Sequence, residues 1–484
     1  MRKRFEQQLN LCLEPIAEVP IPLKSRHELA PVMAALQYIF VTPDLNRRVF
    51  EILENKICSG KQSTGRPGMD LWEILVLGVV RLALDSDYDR LHDLANHHRL
   101  IRGILGVRSL GYGVEGKEYK YQTIRDNVTL LDEQTLIQIN ALVVEAGHRV
   151  VKKKEDHGLS IKADTYVLET NVHYPTDTNL LWDSGRKCVD VLRILSENYG
   201  LVGWRKHKSW SRGLKNRYRQ AAKTASSGGA NKQARVQEHV GGYLDFARKL
   251  DEKITQSRAE FPADADGLPL LISLEYYQKM LQKHIDLVER RLIKGEQIPH
   301  HEKVFSIFEP HSEWIAKGKA GKPAEIGHKV LIASDSYHFI LHHEVIVGKS
   351  DAQLAVPLAK QLAQKYPRID SLSLDKGFSS KPNKEQLQQL IPQVMLPKKG
   401  KRSPQEQEEE RSREFKKLKH KHSAVESNIN QLESNGLNRC PDKGWKAFKR
   451  YTALGVLAYN LHHLGNYLLK AQRKKKKRAL KRAA

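Results

Sequence analysis

The chain has little cysteine and no long apolar run. Its four cysteines, among 484 residues, are Cys12, Cys58, Cys188 and Cys440, and no two of them stand at C-x-x-C spacing. That argues against a zinc ribbon or a disulfide scaffold and leaves thiols expected to be buried in a reducing compartment. The longest apolar stretch, around 74–84, is too short to span a bilayer and is interrupted by Arg81. The opening MRKRFEQQLN lacks the apolar core of a signal peptide. A cytoplasmic, nucleoid-associated protein with no membrane partner is therefore expected. Acidic residues are also short: 56 Asp and Glu stand against 81 Lys and Arg, a formal net charge of +25. So large an excess calls for a polyanionic partner, with nucleic acid the first choice.

What is present falls into blocks. Residues 1–155 read as helices with short loops. The stretch 69–84 is apolar enough for a buried helix, and 85–97 follows as a second, opened by Asp85-Ser86-Asp87. YQTIRDNVTLL, 121–131, reads as a short helix whose Gln122 and Arg125 are side-chain types that contact base edges. A helix-turn-helix-like DNA-binding domain is expected over 1–155, with a plain helical bundle as the alternative. At Leu159 the pattern changes. LSIKADTYVL is rich in β-branched and aromatic residues and predicts a strand carrying Asp164.

Residues 176–300 return to helix, as a large insertion after that strand. Leu274, Tyr277, Leu281, Ile285, Val288 and Leu292 recur there at helical spacing and mark a core stripe. WRKHKSWSRGLKNRYRQ, 204–220, interleaves Arg205, Lys206, Lys208 and Arg212 with Trp204 and Trp210. Cations that hold phosphates and rings that stack on bases suit a nucleic-acid surface; a solvated basic helix face is the alternative.

From 323 onward strands alternate with helices: strands over 324–334 and 337–347, a helix over 351–366, and a strand over 371–374 that ends at Asp375. A helix over 383–390, a strand over 393–396, a long charged helix over 404–433 carrying Glu426, and a closing helix over 450–469 follow. The tail, 471–484, reads as a solvated basic arm. With the insertion removed, this is the order of an RNase H-like fold over 156–470, an α/β mixed sheet flanked by helices.

A carboxylate inside a strand, as at Asp164, is costly unless paired or metal-bound. Asp375 closes a strand, where open α/β sheets form their sites. Glu426 shares its helix with Ala424, Val425, Ile429 and Leu432, a face that would pack on the sheet and aim the glutamate at it. In this topology the first and fourth strands are neighbours, so the three carboxylates can converge. Carboxylate oxygens suit magnesium, and two ions about 3.5–4 Å apart serve both the attacking and the leaving oxygen. Read singly, Asp375 is also compatible with a plain strand end and Glu426 with a surface charge. The adjacent histidines at 97–98, 300–301, 342–343 and 462–463 point in different directions and read as structural.

Longer blocks carry a resemblance. IKADTYVLETNVHYPTDTNLLWDSGR, IPHHEKVFSIFEPHSEWIAKGKAGKPAEIGHKV, LSLDKGFSSKPN, VMLPKKGK and HSAVESNINQLESNGLNRC resemble blocks of insertion-sequence DDE transposases, above all the heterogeneous ISNCY group. GRPGMDLWEILVLGVVRLAL is similar to their N-terminal helical domain, so the resemblance covers nearly all of about 60–470. It implies an RNase H-like catalytic core, two magnesium (or manganese) ions, and terminal inverted repeats of a mobile element as substrate. The activity implied is cleavage of DNA phosphodiesters to free 3′-OH ends and their joining to target DNA. By position, the resemblance puts the catalytic and metal-holding roles on Asp164, Asp375 and Glu426. Joining two ends in concert implies a homodimer on double-stranded DNA. Lys376, Lys398 and Lys399 are the candidates for holding phosphates near the site. Some relatives carry a Tyr, an Arg and a Lys around the glutamate. Here His422 and Glu433 stand four before and seven after it, and Lys398, Lys419 and Lys421 are the candidates to supply that positive charge. Two rivals remain: a nuclease of the same fold that cuts without joining, and a non-catalytic DNA-binding protein such as a decayed transposase acting as a repressor.

Overall fold

The computed structural model describes residues 2–5, 14–60, 68–107, 116–154, 157–229, 231–262, 264–316 and 324–483. Cys12, and residues 65–67 and 317–323 of the resembling blocks, lie outside the described residues. Ahead of the first strand come α1 (Leu29–Val41), α2 (Pro43–Ile57), α3 (Leu71–Ala83), α4 (Tyr88–His97), α5 (Arg99–Leu105), α6 (Tyr121–Val128) and α7 (Glu133–Val150). A capping box between Asp70 and Glu73 starts α3. Every residue of α3 is buried, Arg81 included. Its guanidinium is tolerated there because Nη1 and Nη2 donate to the Asp442 carboxylate at 2.9 and 2.5 Å. The cap of α4 is Asp87 rather than the start of the Asp-Ser-Asp run: its Oδ1 accepts from the Arg90 N–H at 2.8 Å.

The strand β1 (Leu159–Thr170) is followed by four helices: α8 (Asp177–Tyr199), α9 (His207–Ser226), α10 (Lys232–Gln256) and α11 (Leu268–Val288). Next come β2 (Glu313–Ala316), β3 (Ala324–Ser334), β4 (Ile340–Ile346), α12 (Asp351–Lys365), β5 (Ile369–Leu374), α13 (Lys381–Leu390) and β6 (Gln393–Met395). The chain closes with α14 (Pro404–Arg411), α15 (Arg413–His422), α16 (Ala424–Leu432), β7 (Arg439–Cys440) and α17 (Trp445–Ala483).

The fold is a mostly helical α/β arrangement around one mixed sheet of seven strands. Its path is β2-β3-β1-β5-β6, with β4 also on β3 and β7 also on β1. β1 runs antiparallel to β3, and β3 antiparallel to β4, whereas β5 and β7 run parallel to β1 and β6 parallel to β5. A strand paired on both sides and covered on both faces reads as a near-continuous apolar run. β1 only partly follows that rule: Leu159, Ile161, Ala163, Tyr166, Val167 and Leu168 are buried, but so is Lys162, and Ser160, Asp164, Thr165 and Glu169 are half-buried.

The chain divides into two compact units: Val172–Trp314, and Met1–Asn171 together with Ile315–Ala484. The N-terminal helices do not stand apart as a module of their own. Leu75, Leu142 and Val143 belong to the same apolar cluster as Ile161 and Leu372 of the sheet and Leu454 and Leu457 of α17. The insertion has its own cluster, which includes Leu192, Leu214, Leu250, Leu274 and Leu281.

Two helices differ from expectation, and the short strands β2 and β7 were not expected. The single helix expected over 404–433 is three, α14 to α16. Ser412 is extended (φ −55°, ψ 149°) and its hydroxyl accepts from the Phe415 N–H at 3.2 Å, so it caps a new helix instead of continuing the old one. The closing helix is longer than expected, and the basic tail is its exposed last part, not a separate arm, up to Ala483. No helix among the described residues is long and apolar enough to cross a membrane.

Candidate active site

Parallel pairing of β1 and β5 sets the site. Ala163 is in register with Leu374, so Asp164 on β1 and Asp375, just past the end of β5, follow the last paired position and are neighbours. α16 packs on the β1 side of the sheet, where the Asn428 amide Nδ2 donates to Ser334 Oγ at 2.7 Å. Ser334 stands opposite Lys162, on the sheet face that Asp164 shares by strand alternation. The apolar face of α16, with Val425, Ile429 and Leu432 buried, leaves Glu426 exposed.

The carboxylates interact. Burial, then the neighbouring charges of Asp375, Asp351 and Glu426, push the Asp164 carboxyl up to about 6. The Thr165 N–H, which donates to Asp164 Oδ1 at 2.7 Å, works against that rise. Among the described residues no three His, Cys, Asp or Glu side chains are arranged to share one metal ion by themselves. Magnesium commonly uses one or two carboxylates and completes its shell with waters and substrate phosphates.

Asp351 is a fourth carboxylate that the sequence did not single out. It opens α12 behind the Ser350–Gln353 capping box, a pattern that reads only as a helix start. Its Oδ1 accepts from Lys329 Nζ at 2.9 Å and from Thr165 Oγ1 at 3.3 Å. Its Oδ2 lies 3.0 Å from where a Cβ on Gly377 would sit. The Asp375-Lys376-Gly377 turn therefore passes close against Asp351, and glycine permits the approach. On the other side stands His422, half-buried. Burial holds it below the usual histidine range, although Asp375 and Glu426 pull the other way. Its Nδ1 is buried without a hydrogen-bond partner.

The basic candidates scatter. Lys376 is exposed beside Asp375, and Lys399 and Lys419 are exposed. Lys398 is already engaged, donating from Nζ to Glu406 Oε2 at 2.7 Å. Lys421 instead lines a groove with Ser160 and Asp370, at the amino ends of β1 and β5. On α6, Gln122 and Arg125 are exposed, and Gln122 Nε2 donates to Asp126 Oδ1 at 2.7 Å.

In the insertion, Arg205, Lys206, Lys208 and Arg212 are exposed, whereas Trp204 is buried and Trp210 half-buried. Trp204 is 0% exposed, and its Nε1–H donates to Ser257 Oγ at 2.9 Å. Trp210 packs beside it and against Phe246, with centroids 6.3 and 5.2 Å away. The base-stacking role expected of Trp204 is corrected: a fully buried indole whose N–H has a partner anchors the core of the helical unit, while Trp210 is half-buried against that core. Within α9 the cations Lys208 and Arg212 turn outward while Trp210 packs toward the core; Trp204, Arg205 and Lys206 precede the helix. Comparison of the chain with protein families, curated proteins and solved structures found no match.

Proposed function

We propose that this chain is a DDE-type transposase with an RNase H-like core, cleaving DNA at the ends of a mobile element and joining the freed 3′-OH ends to target DNA. The observation that carries this reading is the β1–β5 register, which makes Asp164 and Asp375 neighbours while Glu426 on α16 lies within electrostatic reach of Asp164. The strand order β4-β3-β1-β5-β6, with only β3 antiparallel to its neighbours, supports the fold assignment.

The residues fit a divalent cation. The donors are carboxylate oxygens; burial first, and then repulsion from the neighbouring carboxylates, raise Asp164, and a bound cation would relieve that repulsion. Asp164, Asp375 and Glu426 would hold magnesium or manganese, which supplies charge neutralisation and activation of the attacking oxygen. The chain's own part is placement. Asp351 holds Thr165 and Lys329, fixing the strand floor beside Asp164 and the turn after Asp375. The exposed Lys376 is free to steady a phosphate oxygen next to the carboxylates. Above about pH 6 the Asp164 carboxylate is ionised and ready to act as a ligand. The exposed cations of α6 and α9 are the candidates for gripping duplex DNA, and two chains acting together would bring two ends into one reaction.

The test is a cleavage and joining assay on duplex DNA carrying the gene's own flanks, with magnesium or manganese, comparing wild type with Asp375→Asn. Metal-dependent 3′-OH ends and joined products, lost in the variant, are the expected result. Nicking without joining would favour a nuclease. Tight binding with no cutting in either metal would defeat the catalytic reading and leave a DNA-binding protein.

A further inference from the structure

α14, with the sequence PQEQEEER, has no buried residue. A helix normally keeps its place by packing an apolar face; this one has none to pack. Its start is fixed by the capping box between Ser403 and Glu406. Charge does the rest. Glu406 Oε2 accepts from Lys398 Nζ at 2.7 Å, and Glu409 Oε2 from Lys384 Nζ at 2.5 Å. Glu410 accepts from the Lys398 backbone N–H at 3.0 Å and pairs with Arg402 at 2.8 Å. The hydrogen bond from Lys398 is the main reason the Glu406 carboxyl is pushed down to about 2.

Beneath the helix lies a cavity of about 140 Å³, where Ser379, Ser380 and Lys381 face Glu406, Glu409 and Glu410. Leu396 and Phe415 also line this cavity, but the direct bonds between helix and body run from the two lysines and the Lys398 backbone N–H to the carboxylates. Exposed ion pairs of this kind contribute little and are screened by salt. The helix is also bounded by two breaks in regular backbone, Gly400 at φ 92° and the extended Ser412. At both ends it joins the rest of the chain through non-helical residues.

A row of carboxylates laid across lysines and serine hydroxyls presents what a nucleic-acid backbone presents: closely spaced anionic oxygens. We propose that Lys384, Lys398 and the Ser379–Ser380 hydroxyls form a phosphate-backbone binding site, and that α14 occupies it in the DNA-free protein as an intramolecular competitor. Incoming nucleic acid displaces the helix and takes over its lysines. The site begins four residues after Asp375, so the displaced helix would uncover a path for the strand leading to the carboxylates. The proposal rests on the nucleic-acid part of the proposed function and not on its catalytic part.

The test is equilibrium binding of the full chain to a fluorescent duplex of random sequence across a salt series, together with hydrogen exchange over 404–411. Six proteins are compared: wild type, Glu406→Gln/Glu409→Gln, the charge-matched control Glu385→Gln/Glu408→Gln, Lys384→Gln/Lys398→Gln, and this last variant carrying either glutamate pair in addition. The first double variant should bind on the order of tenfold tighter than wild type at low salt, since two more lysines are open to phosphate. The control should gain much less. In the Lys384→Gln/Lys398→Gln background, adding the Glu406 and Glu409 changes should gain no more than adding the control pair. Exchange over 404–411 should quicken when wild type binds DNA. An equal gain in the control, or slower exchange over 404–411 in the complex, overturns the competitor role while leaving DNA binding intact. Absence of binding in every variant overturns it together with the nucleic-acid reading. Loss of cleavage alone touches neither outcome.

Discussion

Asp164 sits where strand pairing and charge pull in opposite directions. Burial and three neighbouring carboxylates disfavour its ionised form, and its carboxyl is pushed up to about 6. The consequence in metal-free protein has a definite sign. Between the unfolded value near 4 and the folded value near 6, the folded state holds a proton that the unfolded state has lost. Ionisation therefore costs stability above about pH 6, and the cost fades as pH falls toward 4. Asp164→Asn, which never ionises, should be more stable than wild type at pH 7 by on the order of 1–3 kcal/mol, with the gap closing as pH drops through that window. Urea unfolding at several pH values measures it; a gap that does not vary with pH would contradict the assignment. Asp351 contributes to the same effect, so Asp351→Asn should lower the Asp164 midpoint in a carboxyl-carbon NMR titration of metal-free protein. Both aspartates were in plain sight in the sequence, yet only Asp164 stood out, because a carboxylate within a strand is anomalous and one at a helix start is ordinary.

Elements meet through a few close contacts whose partners are far apart along the chain. Arg81 in the middle of α3 reads in sequence as an interruption of an apolar run, and the structure shows it buried at 2% exposure against Asp442. Removing the acceptor leaves a buried guanidinium uncompensated, so Asp442→Ala should lower unfolding free energy by about 3–5 kcal/mol. Chemical denaturation checks this, and a loss well under 1 kcal/mol, the level of a surface pair, would refute it. α1 and α17 touch at Gly465, where a Cβ would stand 1.7 Å from the Pro31 carbonyl oxygen. Gly465→Ala must push the helices apart and should cost about 1–3 kcal/mol, read as a fall in Tm. The longer strands were legible, β3 at both of its ends, Ala324 and Ser334, whereas the short β2 and β7 carried no such signal. The breaks that divide α14, α15 and α16 were not. Serine is common inside charged helices, and only its capping geometry at Ser412 shows which way it acts.

At the scale of the whole molecule, a charge of +25 is shared by two units with separate apolar clusters. Val172–Trp314 encloses its own core around Trp204, Tyr243 and Leu281. As an excised fragment it should fold cooperatively, with helical circular dichroism and a single thermal transition; a fragment without a transition would show that its core depends on the remainder. The N-terminal helices should not behave that way, because their apolar faces belong to the cluster that covers the sheet. The sequence by itself determined the alternation of helix and strand, the helical insertion after the first strand, the excess of positive charge and the three carboxylates worth testing. These are local quantities, carried by apolar periodicity and residue type. Only tertiary structure decided that Asp164 and Asp375 are neighbours, that Asp351 joins them, that Trp204 is core and that acidic α14 lies over Lys384 and Lys398. Each depends on register or on which face a helix turns inward. The burial of large apolar rings and the pairing of charges across the fold set those faces, and the partners are mostly distant along the chain.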